Sequence, residues 1–257
     1  MKKILVTLLV VISGTVAAQN FYIAHRGASY DAPENTVAAA KLAWEVGADA
    51  VEVDLYLASD NRVVIIHDKD TKRTCPGKNL VVKTTPSMVL RDLDAGSWKD
   101  PKFKGEKIPY LTEIIATVPE GKTLVAEIKC GSEIIPHLRR EAEKSGKLDQ
   151  IVFISFGWET ICDLKKEFPQ NKCYWLSGSK ADARKKLNEV AEAGLDGVNL
   201  HYPAISDDLV AAAKELNLEV LAWTVDDPAE AKRLIALGVN KITTNRPNWL
   251  KEQVEGK

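Results

Sequence analysis

The chain alternates short apolar, β-branched runs with longer segments of helical periodicity, and this alternation constrains its fold more than any other feature. Nine runs predict β-strands, at residues 21–24, 50–55, 63–66, 124–128, 151–154, 173–176, 197–200, 220–224 and 241–243. Seven segments predict helices, at residues 36–46, 111–118, 133–144, 159–167, 181–193, 207–216 and 228–237. Strands that alternate with helices indicate a parallel sheet with crossover connections.

The connection between the second and third predicted strands is too short for a crossover, which takes a dozen residues or more. Residues 58–61 suit a hairpin instead, and Asn61 tolerates the left-handed backbone that such a turn needs. We therefore expect the third strand to run antiparallel beside the second and to bring His67 opposite Asp54. Eight parallel strands then remain, which predicts an α/β fold of the (β/α)₈ TIM-barrel type. Such barrels typically have about 250 residues, and this chain has 257.

Residues 69 to about 109 show weak periodicity and many Lys, Asp, Gly and Pro residues. We interpret them as a small insertion that follows the hairpin and lies over one end of the barrel. Residues 19–257 would then form one barrel domain rather than two domains.

The start of the chain has the pattern of an export signal. Lys2 and Lys3 precede an apolar run over residues 4–12, and small residues follow as far as Ala18. This pattern is typical of a secretory signal peptide, and its apolar run is about half of the ~20 residues that span a bilayer. We expect residues 1–18 to be removed by cleavage near Ala18, and the protein to be periplasmic or secreted with no stable membrane anchor. The 35 Lys and Arg residues against 36 Asp and Glu residues give no indication of nucleic-acid binding, which needs a basic excess.

Ionisable side chains collect at the predicted carboxyl ends of the strands, where barrels of this type hold their sites. The first strand ends in His25 and Arg26, and the second carries Glu52 and Asp54. Residues two apart on a strand point to the same face, so both carboxylates should share one side of the sheet. Barrel strands are covered on both faces and unpaired buried charge is costly, so the pair predicts a metal or substrate site.

Further candidates follow the other strands. Glu127 and Lys129 lie two apart on the third parallel strand, and the hairpin arm ends in His67. Trp223 ends the seventh parallel strand, where a tryptophan fits a wall of the site or the core equally well. His201 also follows a strand, either as a substrate contact or as a residue behind the site.

An ordered set of motifs runs through the chain after the predicted signal peptide. They are His25-Arg26-Gly27, Pro33-Glu34-Asn35-Thr36, Val51-Glu52-Val53-Asp54, His67-Asp68, Arg73-Thr74, Leu93-Asp94-Ala95-Gly96-Ser97-Trp98, Ile108-Pro109-Tyr110-Leu111, Glu127-Ile128-Lys129, Ser155-Phe156, Trp223-Thr224-Val225 and Thr244-Asn245-Arg246-Pro247. In this set the sequence resembles the glycerophosphodiester phosphodiesterase family, whose barrel with a small insertion agrees with the pattern above. One departure is Asn245, where the family usually has an aspartate.

The resemblance implies an enzyme that hydrolyses small-molecule glycerophosphodiesters to glycerol 3-phosphate and an alcohol. His25 and His67 would be its general acid/base pair. The residues that look like contacts of the phosphate or the rest of the substrate are Arg26, Lys129, Phe156 and Trp223. Which histidine is the base stays open, as does the nucleophile, which is either water or the glycerol 2-hydroxyl; the resemblance favours the second, with a cyclic phosphate formed first.

The residues that look like metal ligands in this resemblance are Glu52, Asp54 and Glu127. Three carboxylates form an all-oxygen site, which suits one divalent cation, Mg²⁺ or Ca²⁺, rather than zinc. The cation would stabilise the charge that builds on the phosphate during the reaction.

Two other functions are left open at this point. The same chemistry could act on lysophospholipids or phosphoinositides, which would need an apolar groove near the insertion, where Trp98, Phe103 and Tyr110 could contribute. The other is a non-catalytic binding protein on the same barrel, although both histidines and all three acids are present. The sequence does not give the oligomeric state.

Export would permit disulfides among the four cysteines. Cys162 and Cys173 are predicted at opposite ends of the barrel, too far apart for a bridge, which needs Cα atoms within about 7 Å. Cys130 directly follows Lys129, and Cys75 lies in the insertion. Among the pairings a Cys75–Cys130 bridge, which would staple the insertion near the site, is therefore favoured, but whether it forms or both thiols stay free is left open.

Overall fold

The computed structural model describes residues 20–256, so the predicted signal peptide lies outside the described residues. Eight parallel strands close into a barrel, and a ninth strand pairs antiparallel with the second, which confirms the predicted (β/α)₈ fold. The strands are β1 (Phe21–Ala24), β2 (Ala50–Leu57), β3 (Val63–Ile65), β4 (Thr123–Ile128), β5 (Ile151–Ser155), β6 (Cys173–Ser177), β7 (Gly197–His201), β8 (Glu219–Trp223) and β9 (Lys241–Thr244). The helices are α1 (Val37–Glu45), α2 (Ser87–Arg91), α3 (Leu111–Thr117), α4 (Ile135–Ser145), α5 (Trp158–Glu167), α6 (Lys180–Glu192), α7 (Asp207–Glu215), α8 (Pro228–Ala236) and α9 (Pro247–Glu255).

Local signals in the sequence account for several helix boundaries. Thr36 caps α1 by accepting a hydrogen bond from the Ala39 amide at 3.1 Å, and Asp227 caps α8 directly before its first residue, Pro228. The sequence prediction missed α2, which lies in the weakly periodic segment 69–109, and α9, because no strand follows it to complete the alternation. Among residues 20–256, no helix is both long and apolar enough to cross a membrane.

Strand alternation divides the side chains of the barrel wall between two faces. Val51 and Val53 of β2 pack outward in the main core beneath the helices, whereas Ala50 belongs to a smaller apolar cluster inside the barrel. Glu52 and Asp54 share the inward face with Ala50, because they lie two and four residues further along the strand. The sequence of β2 therefore directs two carboxylates into the barrel interior.

The hairpin between β2 and β3 has a different register from the predicted one. The backbone N–H of Ile66 donates to Asp54 O at 3.0 Å, so Ile66 rather than His67 lies opposite Asp54. The prediction was wrong by one residue because it assumed a two-residue loop. The loop has three residues, 59–61, of which Asn61 has a left-handed backbone with φ 62°.

Residues 66–110 connect β3 to α3 and build a small apolar cluster of their own on one face of the hairpin arm. Val64 and Ile66 belong to this insertion cluster, whereas Val63 and Ile65 belong to the main core. The two faces of β3 therefore serve two cores, which holds the segment against the barrel.

The four cysteines are free thiols, so the favoured Cys75–Cys130 bridge is not formed. Cys75 is buried in the insertion cluster, whereas Cys130 packs against the main core, so the two side chains serve different cores. Burial raises the pKa of both thiols to about 11, which keeps them protonated at neutral pH.

Gly27 lies in the turn after β1 with φ +79°, and a Cβ atom there would stand 2.6 Å from the carbonyl carbon of Ala39. We expect Gly27→Ala to lower the free energy of unfolding. The strain of a left-handed residue should account for roughly 1–2 kcal/mol of the loss, and overpacking for roughly 1–3 kcal/mol more. Gly47→Ala is the matched control, because Gly47 has φ +83° with nothing within 4 Å. Urea unfolding should show the larger loss of unfolding free energy in Gly27→Ala, and equal losses would contradict this close approach to α1.

Candidate active site

Three carboxylates converge inside the carboxyl end of the barrel. The parallel register of β2 and β4 puts Asp54 beside Glu127, and Glu52 lies one inward position before Asp54. One carboxylate oxygen from each residue lies within 4.8 Å of the other two. Glu52 and Asp54 are fully buried and Glu127 is largely buried, so the three carboxylates face one another away from bulk solvent.

Protein groups offset the charge of these carboxylates only in part. Lys129 Nζ lies 2.7 Å from Glu127 Oε1 and 3.5 Å from Asp54 Oδ1. Arg26 Nε lies 3.3 Å from Asp54 Oδ2. Burial raises the pKa of Glu52 and of Glu127, and the charges of the neighbouring carboxylates raise both further. Oε1 of Glu52 is buried with no hydrogen-bond partner among the described residues, and this donor set fits a divalent cation that prefers oxygen ligands.

Two residues with left-handed backbones orient the ligand set. Arg26, with φ 57°, turns the chain after β1 so that its backbone N–H donates to Glu52 Oε2 at 2.9 Å. Asn35, with φ 58°, donates its amide N–H to Asp54 Oδ2 at 2.7 Å and accepts from Asp54 N at 3.1 Å. Strain of this kind persists only where the surroundings hold it, and it clusters at functional sites. The sequence analysis missed Asn35 as a site residue, although an asparagine beside an acid in a matching motif is a usable signal.

His25 is held by an amide rather than by a carboxylate. Its Nδ1 lies 2.8 Å from Asn245 Oδ1, and the Asn245 amide nitrogen donates to Asp226 Oδ2 at 2.6 Å. Because the oxygen that faces the ring can only accept, Nδ1 carries the hydrogen and Nε2 carries the lone pair. Burial, helped by the positive charge of Arg26, lowers the pKa of His25 to about 4, so the ring is neutral at neutral pH. The carboxylate of Asp226, which was not predicted as a site residue, therefore lies directly behind Asn245. Asn245 stands where the family usually has an aspartate.

His67 is held by a carboxylate. Its Nδ1 lies 2.7 Å from Asp68 Oδ1, and Arg73 Nε donates to Asp68 Oδ2 at 2.7 Å. Burial opposes ionisation of Asp68, but the hydrogen bonds from Arg73 and His67 lower its pKa overall, so an anion lies against the ring. Arg73 also binds both oxygens of Glu34, which in turn accepts from Arg26 Nη1 at 3.0 Å. A continuous chain of charged groups therefore links His67 to Arg26.

Aromatic rings form one wall of the site. Phe156 and Trp223 lie edge to face with ring centroids 5.6 Å apart, and Trp223 Nε1 donates to Asn199 O at 3.1 Å. The ring of His201 stacks on Trp223 with centroids 5.1 Å apart. His201 therefore contacts the aromatic wall, but it is not among the residues that line the cavity of the site.

Most of the predicted site residues line one cavity of about 270 Å³, which we call the inner cavity. The predicted residues on its surface are His25, Arg26, Glu52, His67, Glu127, Lys129, Phe156 and Trp223. Asp54 contacts this set through Arg26 and Lys129, as described above. A chamber lined by two histidines, two acids and two cations, with a third acid directly behind them, has the groups needed to bind a phosphate and move protons beside it.

Comparisons with known proteins agree with this chemistry. The profile of the Glycerophosphoryl diester phosphodiesterase family matches residues 25–249. A glycerophosphodiester phosphodiesterase from Caldanaerobacter subterraneus is 34% identical over 237 residues, which cover 89% of this chain and 95% of that protein. A phosphodiesterase from Oleispira antarctica, solved in complex with the product sn-glycerol-3-phosphate, is 29% identical with a TM-score of 0.86, covering 92% of this chain and 97% of that one.

The matched family segment contains the whole inner cavity, whose lining residues run from His25 to Thr243. The fold and the motifs agree with the same family along almost the full described length. This chain therefore belongs to the glycerophosphoryl diester phosphodiesterase family.

Proposed function

We propose that this protein is a metal-dependent hydrolase that converts glycerophosphodiesters to glycerol 3-phosphate and an alcohol by two-histidine acid/base catalysis. The observation that carries the proposal is the opposite surroundings of the two histidines on the inner cavity. His25 is neutral with a free lone pair on Nε2, and His67 lies against the Asp68 anion. The Oleispira antarctica relative, described with sn-glycerol-3-phosphate as its product, supports the choice of product.

The ligands of the proposed cation, Mg²⁺ or Ca²⁺, are Glu52, Asp54 and Glu127. When bound, such an ion supplies positive charge to a non-bridging phosphate oxygen. Arg26 and Lys129 would bind the same phosphate, with forked hydrogen bonds available from the guanidinium group. Three acids and these two cations carry a net charge of −1, which a divalent ion and a phosphodiester monoanion bring to zero.

The proton transfers follow from the partners of the two rings. His25 Nε2 would take the proton of the attacking hydroxyl as its oxygen bonds to phosphorus. His67 Nε2 would give a proton to the leaving oxygen as its bond to phosphorus breaks, because Asp68 binds the ring at Nδ1 and leaves Nε2 for that oxygen. Water and the glycerol 2-hydroxyl are both compatible with this assignment, since either hydroxyl would be activated by His25. In the second route a cyclic phosphate forms as the alcohol leaves, and water would then open it to glycerol 3-phosphate with the two histidines exchanging roles.

The alternative substrates that carry an acyl chain lose support. Of the residues expected to form an apolar groove, Tyr110 has its ring between the guanidinium groups of Arg62 and Arg91, at 4.5 and 4.6 Å. Trp98 donates its Nε1–H to Ala95 O at 2.8 Å. Phe103, the third of these residues, has Lys102 Nζ 4.9 Å from its ring centroid. All three side chains are engaged by groups of the protein itself, so we favour water-soluble diesters over lysophospholipids.

Export is part of the proposal. It rests on the basic, apolar and small-residue pattern of residues 1–18, with cleavage near Ala18 into the periplasm or the medium. Amino-terminal sequencing of the protein recovered from its native cells tests it, and a retained Met1 would contradict it.

Adding Mg²⁺ or Ca²⁺ to metal-free protein should raise its Tm, because the ion binds the folded state. The raised pKa values of Glu52 and Glu127 mean that protons compete with the ion as pH falls, so the rise should be larger near pH 8 than near pH 5.5. Glu127→Gln should lose most of the rise, whereas Glu120→Gln, at an exposed acid, should keep it. Calorimetry that shows no effect of either cation at both pH values would contradict the metal site.

Replacing either catalytic histidine should lower kcat for glycerophosphocholine by about 10²–10⁴-fold, the usual worth of one proton transfer. His25→Ala and His67→Ala are the test variants, and His201→Ala, which removes a ring behind the wall, should lose less than about tenfold. Unchanged melting temperatures in all three would show that folding is preserved. Full activity in both His25→Ala and His67→Ala would overturn the mechanism.

A further inference from the structure

Two cavities of different shape meet at the proposed phosphate position. The inner cavity, of about 270 Å³, is bounded by the aromatic wall of Phe156 and Trp223. An outer cleft of about 690 Å³ opens toward the start of the insertion. It is lined by Tyr56, His67, Asp68, Lys69, Asp70, Lys72, Arg73 and Lys129. His67 and Lys129 belong to both cavities, so they mark the junction.

A phosphodiester has two ester arms that leave phosphorus in different directions. The bounded inner cavity holds His25, the proposed base, and it has room for a small polyol beside the aromatic wall. His67, the proposed acid, lies at the junction, where it faces an arm that extends into the outer cleft. This arrangement puts the glycerol arm in the inner cavity and the leaving alcohol in the outer cleft.

The outer cleft carries an excess of positive charge. The ammonium groups of Lys69 and Lys72 are exposed, and neither has an ion-pair partner anywhere in residues 20–256. Asp68 is already bonded to Arg73 and to His67, which leaves Asp70 as the acid facing the two lysines. Two cations against one acid favour an incoming anion, because opposite charges a few ångströms apart attract even in water.

The insertion as a whole has an excess of positive charge in its sequence. Residues 69–109 contain ten Lys and Arg residues against five Asp and Glu residues, although the whole chain is close to neutral. A second groove of about 900 Å³ shares Tyr56, Lys69 and Lys129 with the cleft. Of its lysines, Lys83 is paired with Glu133 at 3.7 Å and Lys129 with Glu127 at 2.7 Å, which leaves Lys69 without an ion-pair partner among the described residues. Charge clustered in this way attracts anionic ligands toward the mouth of the site.

The cleft lacks the features that hold a cationic alcohol. Quaternary ammonium groups are bound by cages of several aromatic rings. Among the residues that line the outer cleft and the adjoining groove, Tyr56 supplies the only phenyl or indole ring. A choline group there would meet lysines instead of a cage.

We infer that the outer cleft selects leaving alcohols that carry a further negative group, a phosphate or a carboxylate, and that Lys69 and Lys72 are the residues that select them. The inference rests on the proposed function, since it assigns the second arm of the same substrate. The enzyme would then prefer diesters with an anionic leaving alcohol over diesters with a neutral or quaternary ammonium alcohol.

Three substrates that share the glycerol 3-phosphate arm test this. Bis(glycerophospho)glycerol has an anionic leaving alcohol, glycerophosphoglycerol a neutral one and glycerophosphocholine a cationic one. We expect kcat/KM to fall in that order and the differences to shrink as salt rises, because the charges are exposed. Lys69→Gln and Lys72→Gln should each lower the ratio of the anionic to the neutral substrate by about fivefold, the worth of one exposed charge pair.

Lys78→Gln is the matched control, because Lys78 is an exposed lysine of the same insertion that does not line the cleft or the groove. It should leave the ratio of kcat/KM values unchanged, and all variants should have the same melting temperature as the wild type. Equal kcat/KM values for the three substrates, or ratios that Lys69→Gln and Lys72→Gln leave unchanged, would overturn the inference while leaving the phosphodiesterase activity in place. No hydrolysis of any of the three would overturn the proposed function and this inference with it.

Discussion

The site depends on the enforced proximity of three carboxylates within the barrel. Moving a carboxylate out of water costs several kcal/mol even after relaxation, and here the register of β2 and β4 holds three within 4.8 Å. Lys129 and Arg26 offset part of that charge, and Oε1 of Glu52 is left without a partner among residues 20–256. The remaining imbalance is what a divalent cation and a phosphate would remove.

The residues around this cluster serve mainly to hold it and the two histidines in place. Asn35 binds Asp54 at two atoms, and the turn at Arg26 and Gly27 aims a backbone N–H at Glu52. Asn245 sets the tautomer of His25, whereas a carboxylate lies against His67. The same barrel therefore gives two chemically identical side chains different surroundings, as acid/base catalysis requires.

Much of this arrangement could be predicted from the sequence, because it depends on local periodicity. Two-residue spacing predicts that Glu52 and Asp54 share a face, and a four-residue connection is too short for a crossover. The predicted register of the hairpin was wrong by one residue. The loop has three residues and ends in the left-handed Asn61, and the apolar pattern of the strands does not reveal this loop length. The partners of the histidines were missed in part, because the contact between Asn245 and His25 joins residues 220 positions apart, and no local pattern encodes it.

The proposed hydrolysis requires a divalent cation at these three acids. The most direct measurement follows glycerophosphocholine by phosphorus NMR with the intact enzyme, first with Mg²⁺ or Ca²⁺, then with excess chelator, then with excess cation restored. We predict that glycerol 3-phosphate accumulates, that its formation stops with the chelator, and that it resumes when the cation returns. Hydrolysis that continues unchanged in excess chelator would contradict the account.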